Sequence, residues 1–416
     1  MATPDLSFVR ERFPALSRVQ DGRPVVWADA PGGSQVPSTV IDAVAAHYRR
    51  GISNADGAFA ASEETDATVA GARAAAADLL GTSSERVAFG PNATTLLLHF
   101  SRSFARTIGP GDVVVVTRLD HDANIRPWVL AARDAGADVA WVDIRTDDAT
   151  LDLESFDRAL GRHPALVAFT LASNAVGTIT PAADLVARAK AAGALVAVDG
   201  VHLAQHRSIG FDALGADIVA VSPYKVFGPH LGMVAASSSV LEGWDPYRLR
   251  PTDTYAPPQR WETGTQNHEG LAGLIAAIEY LADVGRIAGD PADGSRRGAV
   301  SVAYEAFAVH ERTLATRFLE GVARLPRVRL FGIGDIERID RRTPTFAVRI
   351  ADRDPRETSK ALAERGIFTW DGHYYAMELY ERLGILDDGG AVRIGFCHYH
   401  ALDEVDRVLE ALADLS

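Results

Sequence analysis

The strongest constraint on the fold lies between about residues 85 and 235, where short β-branched runs alternate with stretches rich in small, helix-forming residues. The runs predict strands over Arg86–Phe89, Asp112–Thr117, Asp138–Val142, Leu166–Thr170, Leu195–Asp199 and Asp217–Ser222. Each is brief, apolar on both faces and bounded by polar residues or glycine, as suits a parallel sheet covered on both sides by helices. The intervening patterns predict helices over Ala67–Leu80, Trp128–Ala135, Leu153–Leu160 and Pro181–Ala192. A βα-repeating, doubly wound large domain follows.

Beyond residue 260 the pattern changes. His268–Val284 reads as a buried helix and Arg296–Leu325 as one long amphipathic helix. Strands are expected over Thr345–Ile350, Gly366–Trp370 and Ala391–Phe396, with helices over Arg356–Arg365, Ala376–Leu383 and Asp403–Ala413. This describes a small C-terminal α+β domain. The expected division is an N-terminal segment at 1–24 packing with the small domain, a large domain at 25–285 and the small domain at 286–416.

In a doubly wound sheet, ligands bind just beyond the carboxyl ends of the strands. Gly90-Pro91-Asn92-Ala93-Thr94-Thr95 follows the first strand and turns into a helix. Asp120-His121-Asp122 follows the second, and Ser173-Asn174 the fourth. The fifth ends in Asp199-Gly200-Val201-His202, and the sixth runs into Ser222-Pro223-Tyr224-Lys225. One rim thus collects a phosphate-type turn, His121, Asn174, Asp199 with His202, and Ser222 with Lys225. A lysine amine forms a Schiff base with an aldehyde cofactor. A carboxylate beside a pyridine nitrogen keeps that ring protonated as an electron sink. A flat ring also needs a stacking partner, and a helix N-terminus suits its phosphate. Lys225, Asp199, His121 and the Ala93-Thr94 turn meet these four needs.

Asp199-Gly200-Val201-His202, with 22 residues before Lys225, resembles the pyridoxal-phosphate signature of the class V aminotransferase and cysteine desulfurase superfamily, fold type I. The resemblance continues through Asp120–Trp128, Ser173–Thr178, Glu262–Asn267 and Val392-Arg393-Ile394-Gly395. In Gly372–Tyr380 with His398-Tyr399 it narrows to a cysteine desulfurase-like subgroup.

The fold this implies is a fold type I transferase, α/β, with a large, mostly parallel sheet domain and a small α+β domain. The implied cofactor is pyridoxal 5′-phosphate. Lys225 would carry it as an aldimine and later move the Cα proton, Asp199 would pair with its ring nitrogen, and His121 would stack on the ring. Asn174 and His202 would lie near the phenolic oxygen. Ala93, Thr94 and Ser222 would hold the phosphate, and Tyr224 could reach phosphate or substrate. Thr265 would reach in from a second subunit, which implies a homodimer with shared sites. Arg393 would hold the substrate carboxylate as a bidentate fork, with Asn174, His373 and Tyr375 beside the substrate.

The chain departs from the subgroup's desulfurases at one point. Their loop cysteine, which accepts sulfur, is matched by Tyr375 in Trp370-Asp371-Gly372-His373-Tyr374-Tyr375-Ala376. A phenol cannot become a persulfide. The only cysteine, Cys397, lies four residues after Arg393, a strand span of about 13 Å, and is expected to be structural, as are His230, His398 and His400. Tyr374 and Tyr375 either line the substrate pocket or simply pack.

The expected activity is therefore a pyridoxal-phosphate-dependent lyase acting on an α-amino acid, by way of an external aldimine and quinonoid and without persulfide relay. A class V aminotransferase, an epimerase and a catalytically silent binding protein are the alternatives. A nucleotide-binding oxidoreductase is disfavoured, because no Gly-x-Gly-x-x-Gly turn follows the first strand.

Composition excludes other classes. Lys plus Arg numbers 42 against 55 Asp plus Glu, so the net charge of −13 repels nucleic acid and anionic membrane. The single cysteine rules out an internal disulfide and a multi-cysteine metal site, and no metal is expected. The first residues show no signal-peptide pattern and no apolar run reaches 18 residues, so a cytoplasmic location is expected.

Overall fold

The computed structural model describes residues 5–291 and 293–416; the first four residues of the expected N-terminal segment lie outside this range. Its larger sheet has seven strands: β1 (Val87–Gly90), β2 (Val113–Thr117), β3 (Asp138–Val142), β4 (Leu166–Thr170), β5 (Leu195–Asp199), β6 (Ile218–Val221) and β7 (Gly232–Ala236). They lie in the order β1-β7-β6-β5-β4-β2-β3. All neighbours are parallel except β7, which runs antiparallel to both β6 and β1. The sequence reading missed β7, whose Gly-Met-Val-Ala-Ala lacks the β-branched run that marked the others.

Period-two alternation explains the three layers. Val113 and Val115 join one core with Phe169, Val198 and Val221. Val114 and Val116 join the other with Ala168, Ala197 and Ala220. Helices α1 (Ser38–Arg50), α2 (Ala60–Leu80), α3 (Ala93–Phe104), α4 (Arg126–Ala135), α5 (Leu153–Leu160) and α6 (Ala182–Ala191) surround the sheet. α2 begins seven residues before the expected Ala67, because its first turns are polar and carry no apolar stripe. The second face is sealed by α3 and α4, through Leu97, Phe100, Phe104 and Trp128.

Two long helices follow, α7 (His268–Ala288) and α8 (Arg296–Val322). α8 serves both cores: Ala299, Val300, Ala303 and Phe307 pack in the large one, and Leu314, Phe318 and Val322 in the small one.

The smaller sheet contains β8 (Val328–Phe331), β9 (Thr345–Ile350), β10 (Trp370–Gly372) and β11 (Ala391–Gly395) in the order β8-β9-β11-β10, all antiparallel. Helices α9 (Pro355–Ala363), α10 (Met377–Arg382) and α11 (Leu402–Leu415) complete this part. The expected strand Gly366–Trp370 is corrected to Trp370–Gly372. The residues before it face the N-terminal segment instead: Ile367 bridges Val26, and the Phe368 N–H donates to the Val26 oxygen at 2.9 Å. Edge strand β8 was not foreseen. In β11, Val392 and Ile394 enter the small core, so Arg393 projects from the opposite face, toward the large sheet. No helix among the described residues is long and apolar enough to cross a membrane.

Candidate active site

The carboxyl ends of β2, β4, β5 and β6 and the start of α3 surround a cavity. Ala93, Thr94, His121, Asn174, Asp199, His202, Ser222, Tyr224 and Lys225 all line it. Nine residues expected at the site from sequence, scattered over more than 130 positions, thus meet in one place. Leu97, Ala123, Thr170, Ala172 and Val201 complete the wall.

At one end lies the N-terminus of α3. Asn92 caps it by accepting the Thr95 N–H at 2.8 Å, and the Ala93 and Thr94 amides are left to face an anion. The turn rests on Gly232 of β7, where a Cβ would stand 2.3 Å from the Asn92 carbonyl carbon. Glycine there is what lets the helix start sit this low on the sheet.

Lys225 follows β6 in a tight turn begun by Ser222 and Pro223. The amine is buried, and that burial, reinforced by the Arg393 charge and opposed by Asp199, pushes its pKa down from 10.5 to about 7. Asp199 ends β5 and accepts the Val201 N–H at 2.8 Å. Burial pushes its carboxyl up, against the pull of that N–H and of Lys225. A buried amine and carboxylate of shifted pKa in one cavity mark a functional site.

His121 N-caps the short turn after β2, its Nδ1 accepting the Ala123 N–H at 3.0 Å. Burial first, then the charges of Lys225 and Arg393, push its pKa down to about 3. The ring is therefore neutral, and because Nδ1 accepts, the proton resides on Nε2. The residue before it, Asp120, was assigned no role from sequence. Fully buried, it accepts from Thr117 Oγ1 and from Asn124 Nδ2, the latter at 2.7 Å, and Asn124 accepts from Trp128 Nε1 at 3.1 Å. This network holds the His121 turn between β2 and α4.

Asn174 donates from Nδ2 to the Tyr374 oxygen at 3.0 Å. His202 Nε2 lies 3.1 Å from the hydroxyls of both Thr343 and Thr345. The other polar atoms of these two side chains, Asn174 Oδ1 and His202 Nδ1, are buried without a partner. A ligand with a hydrogen-bonding oxygen would satisfy them. Together with the amine, the carboxylate, the flat neutral His121 and the helix start, they fit a phosphorylated pyridine aldehyde.

Arg393 approaches from β11. Its Nη1 donates to the Asn174 oxygen at 3.0 Å, Nε is buried without a partner, and the guanidinium lies 4.3 Å from the centre of the Tyr374 ring. Sequence reasoning also missed Asp29, whose Oδ1 is buried and unpartnered. Burial pushes its carboxyl up to about 6 despite the nearby Arg393 charge. Only the tertiary structure could reveal it, since no local pattern sets this aspartate apart. His230, expected to be structural, stacks on Tyr224 with ring centres 4.9 Å apart.

Three expected residues lie elsewhere or at the mouth. Tyr375 is exposed, with its ring 5.3 Å from that of His121. His373 turns back on its own loop, its Nδ1 accepting the Tyr375 N–H at 3.2 Å. Thr265 is exposed on a separate cleft with Asn54, Asp66 and Gln266. Its segment is anchored by Glu262, which accepts the Phe89 N–H at 2.8 Å and pairs with Arg73 at 2.6 Å. Cys397 is buried, and burial pushes its thiol pKa well up.

A family model described as Aminotransferase class-V matches residues 26–290 and 299–408. "Probable cysteine desulfurase 2" of Mycobacterium leprae (strain TN) is 32% identical, covering 97% of this chain and 95% of its own length. "Uncharacterized protein MT3887" of Mycobacterium tuberculosis is 30% identical over 99% of both chains. Among solved structures, the apo cysteine desulfurase from Thermococcus onnurineus NA1 superposes with a TM-score of 0.88 at 24% identity, covering 100% of this chain and 99% of its own. The Escherichia coli cysteine desulfurase CsdA (S-sulfonic acid) gives 0.83 at 25% identity, covering 99% and 98%.

Proposed function

The chain belongs to the class-V aminotransferase family of pyridoxal-5′-phosphate enzymes, and from that premise we propose that it is a lyase acting on an α-amino acid without a persulfide relay. The observation that carries this reading is the buried cavity shared by the Lys225 amine, lowered to about 7, and the Asp199 carboxylate. When bound, the cofactor supplies an aldehyde that condenses with amines and a pyridinium ring that draws electrons from Cα.

The chain's own residues supply the rest. Lys225 Nζ, partly neutral near pH 7, would hold the aldehyde and could then take the Cα proton. Asp199 would pair with the ring nitrogen and keep it protonated, and His121 would lie against the ring. Asn174 Oδ1 and His202 Nδ1 are free to meet the phenolic oxygen. The amides at Ala93 and Thr94, with Ser222, would receive the phosphate, and Tyr224 would border it. Arg393 holds the substrate carboxylate.

The lyase assignment is supported by relatives named cysteine desulfurases, and the absence of a relay by the lack of a thiol placed to accept sulfur. The sole cysteine, Cys397, is buried and held as a thiol. A homodimer is part of the same reading: Thr265, exposed beside its cleft, would complete the site of a second copy. So is the division into 1–24, 25–285 and 286–416, with α8 joining the last two.

The test is the visible spectrum of the purified protein before and after single amino acids, with product analysis. A yellow band abolished by borohydride, with release of ammonia and a keto acid from a β-substituted amino acid, supports the lyase. A keto acid formed with amine left on the cofactor points to transamination, and inversion at Cα to epimerisation. No band after added pyridoxal phosphate would sink the enzyme reading.

A further inference from the structure

The loop from Gly372 to Ala376 holds two consecutive tyrosines in the left-handed region, Tyr374 at φ 51° and Tyr375 at φ 60°. Bulky residues persist there only where their surroundings over-determine them, and such strain gathers at functional sites. The surroundings here are specific. Asn174 Nδ2 donates to the Tyr374 oxygen at 3.0 Å, and the Asp122 N–H donates to the Tyr375 oxygen at 2.7 Å. The Tyr374 hydroxyl donates to the main-chain oxygens of Trp370, at 3.1 Å, and Ala391. The Arg393 guanidinium covers the Tyr374 ring at 4.3 Å. Asn174, Asp122 and Arg393 all sit at or beside the cavity rim, so the rim itself sets this loop's conformation.

The pinning sends the two rings opposite ways. Tyr374 turns inward, held by Arg393 over its ring and by its hydroxyl on Trp370 and Ala391. Tyr375 turns outward and remains 65% exposed, yet lies 5.3 Å from the His121 ring, inclined by 33°. Its hydroxyl makes no hydrogen bond among the described residues. The strained backbone therefore gains little packing from this side chain. What it achieves is to place an aromatic ring beside His121, on its solvent side.

We propose that Tyr375 is a specificity-determining residue, whose ring closes the space above His121 and restricts the site to α-amino acids with small side chains. This rests on the amino-acid-binding reading of the cavity. The ring acts by its bulk, not by its hydroxyl.

The experiment uses the holoenzyme and follows the absorbance shift of the bound cofactor on titration with alanine, cysteine, methionine and phenylalanine. Tyr375→Phe should keep the wild-type preference. Tyr375→Ala, and Tyr375→Asn, which tolerates a left-handed backbone, should tighten phenylalanine and methionine relative to alanine by tenfold or more. In parallel, the cofactor-free proteins are treated with diethylpyrocarbonate and the His121 peptide is quantified. His121 should react at least fivefold faster in the Ala and Asn variants than in wild type or Tyr375→Phe. A phenylalanine-to-alanine ratio unchanged within twofold, while amino acids still shift the spectrum, overturns the proposal and leaves the functional reading standing. If no amino acid shifts the spectrum of any variant, the functional reading falls and takes the proposal with it.

Discussion

Arg393 Nη1 donates to the main-chain oxygen of Asn174 at 3.0 Å, across 219 residues of sequence. A β11 side chain from the small sheet is thereby fixed to the strand end that lines the cavity. The same arginine that would bind a substrate carboxylate also fastens the two parts of the molecule together.

Replacing Arg393 with Ala should therefore do two things. The KM for a carboxylate-bearing substrate rises by the equivalent of about 2–5 kcal/mol, the usual result of removing one member of a buried charged pair. The Gly372–Ala376 loop, which loses the guanidinium over Tyr374, becomes more susceptible to proteolysis. Steady-state kinetics and limited digestion read these separately, and an unaltered KM would move the carboxylate site elsewhere.

Lys225→Ala should leave a folded protein with turnover reduced by at least about a thousandfold, since the variant lacks the amine proposed to anchor the cofactor and carry the proton. Normal turnover in this variant would refute the assignment of Lys225.

Lys225 also predicts a dependence of stability on pH. Its folded pKa of about 7 lies below the ordinary 10.5. Between these values the unfolded chain binds a proton that the folded chain does not, so this residue makes the cofactor-free protein more stable as pH rises through that window. Urea unfolding of cofactor-free wild type and Lys225→Met at pH 7.5 and 9.5 isolates the effect. The wild type should gain on the variant at the higher pH; an equal response in both proteins would refute the shift.

Asp29 should make substrate binding depend on pH. With its carboxyl at about 6, it is neutral below that pH and charged above it, where it competes with a substrate carboxylate for Arg393. The KM should rise as pH increases from about 5 to about 7, and Asp29→Asn should flatten the rise. A wild-type profile retained in Asp29→Asn would show that the two groups do not compete.

The network behind His121 separates two substitutions at one position. Asp120→Asn can still accept from Asn124 and donate to Thr117, so stability should change little. Asp120→Ala strands both partners in a dry core and should cost about 1–3 kcal/mol for each group left unpaired. Chemical denaturation of the two variants measures the difference, and equal stabilities would mean the network carries no weight.

Much of this site is legible in the sequence because each contributing segment follows a strand. Thr117, Thr170, Asp199 and Val221 end runs of β-branched and apolar residues, and the next few positions carry His121, Asn174, His202 and Lys225. Where that signal weakens, the reading fails: β7 has too few β-branched residues, and Trp370–Gly372 is identified as a strand only by its partner β11. Asp29 and Asp120 carry no mark because their significance is what burial does to a carboxylate, which depends on surroundings supplied by the rest of the chain.

The resemblance of Asp199–His202 and Lys225 to a family signature implied the cofactor, while apolar runs and turn residues by themselves determined the layered α/β sheet and the rim on which the chemistry gathers. Those are local properties, set by backbone geometry over a few residues at a time. Only the tertiary structure decided that Arg393 meets Asn174, that Asp29 lies near Arg393 and that Tyr375 stands over His121. Each of those relationships joins segments more than 200 residues apart, and such segments meet only when two cores pack against the same long helix, α8.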